Sequence, residues 1–139
     1  MSEVIVSSDG FLKQVIKAGG HTLIADEPRE AGGTGAGSDP YSLLLAALGA
    51  CTSMTLQLYA RRKGWPLERV EVRIGHSRIH ADDCQECATK QGYVGRIERH
   101  IALTGPLSDE QKTRLLEIAQ HCPVHKTLTS EISIKDYLV

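Results

Sequence analysis

The chain has 139 residues, of which 41% are hydrophobic and 24% are charged. That length suits one soluble globular domain and is short for two, so we expect a single domain over residues 1–139. Its 16 basic and 17 acidic side chains leave a net charge of −1, which excludes the strongly basic surface typical of a nucleic-acid-binding protein.

The N-terminal sequence and the apolar runs predict a cytoplasmic protein. Met1-Ser2-Glu3 does not lead into an apolar run, so no signal peptide is expected. The longest apolar run, Leu43–Cys51, is much shorter than the ~20 residues that span a bilayer, so no membrane partner is expected. In the cytoplasm the four cysteines should rest as thiols, and any disulfide among them would be catalytic or redox-linked.

Taken in chain order, the first elements are a hairpin and a loop. Phe11–Lys17 and His21–Asp26 are two predicted strands, separated by the turn dipeptide Gly19-Gly20. The segment Glu30–Pro40 is glycine-rich, but it lacks the Gly-Lys-Ser/Thr of a phosphate-binding loop, which disfavours nucleotide binding. A mobile loop is the better interpretation.

A long apolar helix follows. Asp39 and Pro40 form a helix start, with a side-chain acceptor at the cap and proline where no amide donor is needed. The helix is predicted to reach about Lys63, with Gly64 as its stop. Its first half, LLLAALGAC, is apolar on every side and must be buried on every side. A domain this small cannot easily surround it, so a second subunit is expected to supply the missing wall.

The remaining elements complete an α+β domain with the order β-β-α-β-β-α-α-β. The predicted elements, with the loop between the two strands, are strand Val70–His80, loop Ala81–Gly92, strand Tyr93–Leu103, helix Leu107–His121 capped by Ser108, a short helix beginning at Cys122-Pro123, and closing strand Ser130–Ile134.

Two of the cysteines differ in their local surroundings. Cys51 lies in the all-apolar helix, where most free cysteines are inert buried hydrophobes. Such burial raises a thiol pKa, so Cys51 would need a nearby cation to react. Cys122 precedes Pro123 at a helix start, with His121, His125 and Lys126 close in sequence. Amide donors and positive charge there favour a thiolate at Cys122, although a cysteine can also be an ordinary cap.

The other two cysteines, Cys84 and Cys87, form a CxxC motif in the polar loop. With His76 and His80 upstream they could ligate zinc, but the compact spacing is not the usual two-arm arrangement, and no metal site is assigned. A redox or disulfide pair and a plain loop are the other readings. The acidic residues around them disfavour a fast nucleophile.

Two stretches resemble the OsmC/Ohr family, the osmotically inducible protein C-like and organic hydroperoxide resistance proteins. The first resembles that family's central helix, in which an Asn-Pro or Asp-Pro start precedes the first reactive cysteine; here it is Gly37-Ser38-Asp39-Pro40, then LLLAALGAC and Thr52-Ser53-Met54-Thr55-Leu56. The second resembles the family's C-P-[VY]-S-x-x-L segment and closing strand; here it is Cys122-Pro123-Val124-His125-Lys126-Thr127-Leu128 followed by SEISI. The element order agrees as well, so the resemblance covers essentially the whole chain.

The resemblance implies an intertwined homodimer with central buried helices packed on antiparallel sheets and active sites at the interface. It also implies a thiol-dependent peroxidase that reduces organic hydroperoxides in oxidative stress defence, without a cofactor. In that reaction Cys51 attacks the hydroperoxide and Cys122 resolves the sulfenic acid as a disulfide. The implied reductant is a dithiol such as a lipoyl group.

The chain departs from the family at the activating residues. Many active members carry a glutamate where this chain has Tyr41, and a phenol can hydrogen-bond but cannot form the same salt bridge. The activating arginine does not align clearly; Arg29, beside the glycine-rich loop, is the candidate, with a solvated loop charge as the alternative reading. These departures and the Cys84/Cys87 loop indicate a divergent subfamily. Two other functions stay open: a thiol redox or metal sensor using Cys84 and Cys87, and a non-enzymatic module that binds a small lipophilic molecule.

Overall fold

The computed structural model describes residues 3–139. Met1 and Ser2, on which the expectation of no signal peptide partly rests, lie outside the described residues. The chain forms two compact units, which divide between Ala46 and Ala47. One domain over residues 1–139 therefore stays a prediction.

The N-terminal unit contains a three-stranded antiparallel sheet. Its strands are β1 (Val4–Ser8), β2 (Gln14–Ala18) and β3 (His21–Ala25), in the order β1-β2-β3. Gly19 and Gly20 both have positive φ, 55° and 81°, as a two-residue type I′ turn requires. The predicted hairpin is confirmed, whereas β1 was not anticipated from the sequence.

The glycine-rich loop is organised around one buried carboxylate. Asp26 is only 2% exposed, and it accepts hydrogen bonds from the Thr34 hydroxyl at 2.6 Å and from the Thr34 and Ala36 amides. The Thr34 hydroxyl, with these backbone amides, lowers the pKa of Asp26 to about 2. A side chain at Gly33 would overlap the carbonyl of Glu27. Amides of the loop therefore donate to the Asp26 carboxylate and hold the loop in place. The sequence had predicted a mobile segment here.

The long helix has the bounds that the sequence predicted. Helix α1 spans Pro40–Lys63, and the Asp39 carboxylate accepts hydrogen bonds from the amide and the hydroxyl of Ser42 in its first turn. Gly64 follows the last turn with φ 70°, the left-handed conformation that ends many helices. Cap and stop are local signals, and both are confirmed.

Helix α1 buries one narrow stripe within the chain. The buried side chains recur every fourth residue: Leu48, Thr52, Leu56 and Ala60. Met54 and Leu58, on other faces, are 65% and 58% exposed. By length and composition alone the helix could also cross a membrane, as core helices of soluble proteins could. The length of the apolar run Leu43–Cys51 alone was therefore not enough to exclude a membrane-spanning helix.

The C-terminal unit packs two helices against a long hairpin. Strands β4 (Arg69–His80) and β5 (Tyr93–Thr104) pair antiparallel over their full lengths. Helix α2 (Asp109–Ala119) begins at the predicted cap, Ser108, which forms a capping box with Gln111, and helix α3 spans Pro123–Leu128. The core of the C-terminal unit joins the second half of α1 to α2, through Leu56, Ala60, Leu115, Ile118 and Ala119. These helices and antiparallel strands confirm the predicted α+β class.

The predicted closing strand Ser130–Ile134 is wrong for this chain. Residues 131–139 have no regular secondary structure, and Ile134 is 81% exposed. A strand needs a sheet edge to satisfy its backbone groups, and no described strand pairs with this segment. Its alternating sequence is real, but alternation alone does not supply a partner.

Candidate active site

Cys51 and Cys122 lie together in the C-terminal unit. Cys51 comes from the middle of α1, and Cys122 is the N-cap of α3, directly before Pro123. Both are free cysteines, and their side chains are hydrogen-bonded to each other. Cys122 is 0% exposed, whereas Cys51 is half-buried. The sequence separates these two residues widely, and the fold brings them into contact.

The surroundings of Cys122 favour its thiolate. Burial by itself would raise the pKa of Cys122, but the interactions of its sulfur with Cys51, with the His125 and Val124 amides and with Thr52 outweigh it and lower the pKa. The His125 amide lies 3.3 Å from the Cys122 sulfur. These donors are the capping contacts expected for a side chain at a helix start.

Cys51 is the more weakly acidic partner. Burial is the main cause that raises the pKa of Cys51, and its hydrogen bond with Cys122 raises it further. The Val124 amide and the Thr55 side chain oppose this only in part. Of the two thiols, Cys122 is therefore the one that ionises first as the pH rises.

Arg99, on β5, places a guanidinium beside this pair. Its Nη1 donates to Thr52 Oγ1 at 3.0 Å and to the Ala119 carbonyl at 3.2 Å. Thr52 is buried on α1, one residue after Cys51, and its side chain also hydrogen-bonds Cys122. Within residues 3–139, no carboxylate lies within ion-pair distance of Arg99. A part-buried cation without a carboxylate partner favours an anion nearby, and Arg99 contacts both Thr52 and His125, two residues that interact with the Cys122 sulfur.

His125 is held neutral by the same arginine. Its Nδ1 lies 2.7 Å from Arg99 Nη2. Because a guanidinium can only donate, Nδ1 must be the unprotonated acceptor, and the ring proton resides on Nε2. Burial, followed by the charge of Arg99, lowers the pKa of His125. His125 can therefore donate a hydrogen bond from Nε2 without adding charge.

A small cavity lies next to Arg99 and His125. Its volume is about 240 Å³, and most of its remaining wall is aliphatic or glycine; the lining residues are Leu48, Gly95, Ile97, Arg99, His125, Leu128 and Thr129. A larger cavity of about 410 Å³ lies on the β4–β5 hairpin, but neither Arg99 nor His125 lines it. Of these two cavities, the smaller one places an apolar wall beside the donors of Arg99 and His125, and neither cysteine lines it.

Sequence reasoning missed Arg99, although the chain carries a signal for it. In β5 the partly buried positions alternate with exposed ones, and Arg99 falls between Ile97 and Ile101 on the inward face. A charged residue at an inward position of an otherwise apolar strand face needs a specific partner. That pattern marks Arg99 as a candidate functional residue.

The other predicted residues are distributed elsewhere. Arg29 and Tyr41 belong to the N-terminal unit and are both exposed there; their activating role stays a prediction. Cys84 and Cys87 form a disulfide at the end of the β4–β5 hairpin. In the described part of the chain, no group of three or more His, Cys, Asp or Glu side chains could hold a metal ion.

Comparison with known proteins identifies the family. The family model described as OsmC-like protein matches residues 33–135, a span that includes all four cysteines and Arg99. The chain belongs to the OsmC family. The resemblance read from the two cysteine motifs is thereby confirmed. Among curated proteins, none matches this OsmC-family chain significantly.

Solved structures share the OsmC fold at low sequence identity. An OsmC-like protein from Mycoplasma pneumoniae is 21% identical, with a TM-score of 0.74 over 92% of this chain and 86% of that one. An organic hydroperoxide resistance protein OsmC from Legionella pneumophila is 20% identical, with a TM-score of 0.66 over 93% and 89%. An organic hydroperoxide resistance protein from Elizabethkingia anophelis is 18% identical, with a TM-score of 0.66 over 93% of this chain and 88% of that one.

Proposed function

We propose that this OsmC-family protein is a thiol-dependent peroxidase that reduces organic hydroperoxides in oxidative stress defence. The observation that carries the proposal is the hydrogen-bonded pair of free thiols, Cys51 and Cys122, next to a guanidinium with no carboxylate partner in the described chain. A thiol and a thiolate in contact are the two reactants that a disulfide-forming peroxidase needs. Hydroperoxide resistance proteins among the structural relatives are consistent with this chemistry.

The first step uses the different exposure of the two sulfurs. Cys51 is the accessible one, whereas Cys122 is fully buried. Cys122 takes the shared proton as Cys51 attacks the terminal oxygen of the hydroperoxide. The O–O bond breaks, the alkoxide leaves and receives a proton from Cys122, and Cys51 becomes a sulfenic acid. The products of this step are the alcohol, the Cys51 sulfenic acid and the Cys122 thiolate.

The second step closes the disulfide. The Cys122 thiolate attacks the Cys51 sulfur, the S–O bond breaks, and hydroxide leaves. The His125 amide that donates to Cys122 stabilises the thiolate until that moment. A dithiol, of which a lipoyl group is one example, then reduces the Cys51–Cys122 disulfide and returns both thiols.

The cavity lined by Arg99 and His125 supports an organic substrate. Leu48, Ile97 and Leu128 supply aliphatic wall, which suits the carbon chain of a hydroperoxide. Arg99 and His125 supply donors for its oxygen end. Donors aimed at the oxygen that becomes the alkoxide stabilise the transition state more than the ground state.

We also propose a homodimer in the cytoplasm. The support is the exposed apolar surface of the chain, which includes Met54 and Leu58 on α1 and Ile132 and Ile134 in the C-terminal segment. Contiguous exposed apolar surface is typical of an interface. A second copy would cover the faces of α1 that one chain leaves open.

Consumption of tert-butyl hydroperoxide tests the function directly. Purified wild type, Cys51→Ser and Cys122→Ser are assayed with dihydrolipoamide, dithiothreitol or glutathione as reductant. We expect wild type to turn over with the dithiols and neither variant to match it. If no cysteine of the wild type is oxidised faster than a free thiol in solution, the peroxidase proposal fails.

A further inference from the structure

The second cysteine pair lies at the far end of the β4–β5 hairpin. The two strands end at the paired residues His80 and Tyr93, whose rings lie 4.4 Å apart. The loop between them contains the Cys84–Cys87 disulfide, with a Cα–Cα distance of 5.4 Å. This pair is joined by a disulfide, whereas Cys51 and Cys122 are free cysteines.

The Cys84–Cys87 bond constrains the chain very little. A disulfide stabilises a fold chiefly by closing a long loop, and here the sequence separation is only three residues. The loop is already closed by the strands, and the Ala81 amide donates to the Gly92 carbonyl at 2.8 Å across its base. A role as a structural crosslink therefore explains little.

The two sulfurs differ in access. Cys84 is 4% exposed and packs beside a short 3-10 turn, where its amide donates to the Ala81 carbonyl. Cys87 is half-buried, so part of it reaches the surface. An external thiolate can therefore reach the sulfur of Cys87 and not that of Cys84, since exchange requires in-line contact with the attacked sulfur.

Basic side chains offset the acidic character of this loop. Arg96 on β5 pairs with Glu86 at 3.5 Å, which removes one of the carboxylates expected to disfavour a thiolate. Lys90 donates to the carbonyl of Cys87 at 3.0 Å, so an ammonium lies close to the accessible cysteine. A cation near a thiol stabilises its thiolate and its exchange.

We propose that Cys84 and Cys87 form a second thiol–disulfide exchange site, which takes electrons from a dithiol and acts separately from the Cys51–Cys122 pair. A thiolate of the dithiol attacks Cys87, the Cys84–Cys87 bond breaks, and Cys84 leaves with the electron pair and is protonated. The second thiolate of the dithiol then attacks its own sulfur in the mixed disulfide and releases Cys87. The protein gains two electrons and two protons, and the dithiol becomes a disulfide.

Distance along the hairpin keeps the two pairs apart within one chain. Arg99, beside Cys122, is six residues from Tyr93 along β5, or about 20 Å at ~3.3 Å per residue. Disulfide exchange needs sulfurs in contact, so Cys84 and Cys87 cannot reduce Cys51–Cys122 of the same chain directly. The hairpin end therefore exchanges with its own dithiol.

The test compares two matched variants, each of which keeps one cysteine of the Cys84/Cys87 pair. Cys84→Ser leaves Cys87 as the single thiol of the loop, and Cys87→Ser leaves Cys84. Both are made in wild type and in the Cys51→Ala/Cys122→Ala background, and each is treated with oxidised lipoamide and with 5,5′-dithiobis(2-nitrobenzoate). Mass spectrometry of the peptides then locates the mixed disulfide. We expect Cys87 to react on the order of tenfold faster than Cys84.

A second measurement uses the folded protein without substitutions. Stoichiometric dithiothreitol should reduce Cys84–Cys87 while circular dichroism stays native, and alkylation should then label both cysteines. If the bond is reduced only when the protein unfolds, or if Cys84 reacts as fast as Cys87, the proposal is overturned. Exchange that persists in the Cys51→Ala/Cys122→Ala background separates this site from the peroxidase proposal. Peroxide turnover by Cys84→Ser/Cys87→Ser should stay within a few-fold of wild type; complete loss would contradict separate action.

Discussion

Arg99 Nη2 lies 2.7 Å from His125 Nδ1, and the His125 amide in turn donates to the Cys122 sulfur. The Arg99 guanidinium thus fixes the orientation of the His125 ring, and the backbone amide of His125 stabilises the Cys122 sulfur as a thiolate. Arg99 Nη1 contacts Thr52 at the same time, so α1, β5 and α3 are tied together at the reactive pair. Because Thr52, Arg99 and His125 all belong to the C-terminal unit, the geometry is set by the local packing of that unit.

Arg99→Gln should slow peroxide consumption by about 10²-fold, the usual cost of removing one charged or hydrogen-bonding group that stabilises developing negative charge. The cause is the loss of positive charge beside Cys122 and of a donor to the cavity. Arg73→Gln on β4 is the matched control, since Arg73 is exposed and its side chain pairs with Glu71. Stopped-flow oxidation with tert-butyl hydroperoxide measures both. Equal rates in the two variants would remove Arg99 from the mechanism.

Thr52 offers a test that keeps side-chain volume nearly constant. Its hydroxyl accepts from Arg99 and donates to the Leu48 carbonyl at 2.7 Å, so Thr52→Val removes both hydrogen bonds and leaves one N–H of the part-buried Arg99 without its partner. We expect a loss of about 1–3 kcal/mol in the free energy of unfolding and a higher pKa of Cys122. Thr52→Ser keeps the hydroxyl and is the control. Urea denaturation and the pH dependence of alkylation report the two effects; a Cys122 pKa unchanged in Thr52→Val would contradict the role.

Signals confined to a few neighbouring residues predicted much of the fold. Gly19-Gly20 marked a hairpin because two positive φ values require glycine in most sequences. The Asp39 cap, the Gly64 stop and the Ser108 capping box gave helix ends that the structure reproduces. Each of these depends on backbone geometry within one turn, which is why the sequence alone was sufficient.

The remainder depends on contacts distant in sequence. Arg99 contacts Thr52, 47 residues away in sequence, and His125, 26 residues away. The local sequence indicates these contacts only through one charged residue on an apolar strand face. Strand β1 exists because β2 offers it an edge. The segment Ser130–Ile134 has similar alternation, but no described strand offers it an edge, so it is not a strand. Pairing partners, rather than propensity, decided both cases.

Lowering the pH should destabilise the wild type through His125. An unfolded histidine has a pKa near 6.5, and burial followed by the charge of Arg99 lowers the pKa in the native state. Between those two pKa values the unfolded chain binds the extra proton and the native chain does not, so stability falls as the pH drops below about 6.5. His125→Gln keeps an acceptor for Arg99 but cannot titrate. Urea denaturation at pH 8.0 and 5.5 should show a smaller loss in the variant; equal losses would contradict the assignment.

The exposed apolar face of α1 should hold a dimer together. We expect sedimentation at micromolar concentration to give twice 15.2 kDa, because Met54 and Leu58 have no cover within the described chain. Leu58→Glu puts a charge in that face and should raise the dissociation constant at least about tenfold. Arg62→Glu, on the exposed last turn of α1, controls for added negative charge. A stable folded wild-type monomer would contradict the prediction.

The roles of Cys51 and Cys122 are tested by what each single variant accumulates. After one equivalent of tert-butyl hydroperoxide, wild type should contain a Cys51–Cys122 disulfide. Cys122→Ser should trap Cys51 as sulfenic acid and then as the irreversible higher oxides, because nothing condenses with it. Cys51→Ser should leave Cys122 largely reduced, since a fully buried sulfur cannot meet the peroxide even though its pKa is the lower of the two.

This asymmetry separates access from acidity as the property that selects the attacking sulfur. If acidity decides, Cys51→Ser still consumes peroxide and Cys122 accumulates sulfinic acid, and the roles are reversed. Mass spectrometry of the two peptides distinguishes the cases, with dimedone added to capture the sulfenic acid before it is oxidised further. Cys84→Ser serves as the matched control, because it removes a cysteine from the same unit without touching the pair. Its Cys51 and Cys122 should oxidise at the wild-type rate, and a slower rate there would show that the variants report damage to the unit instead of chemistry.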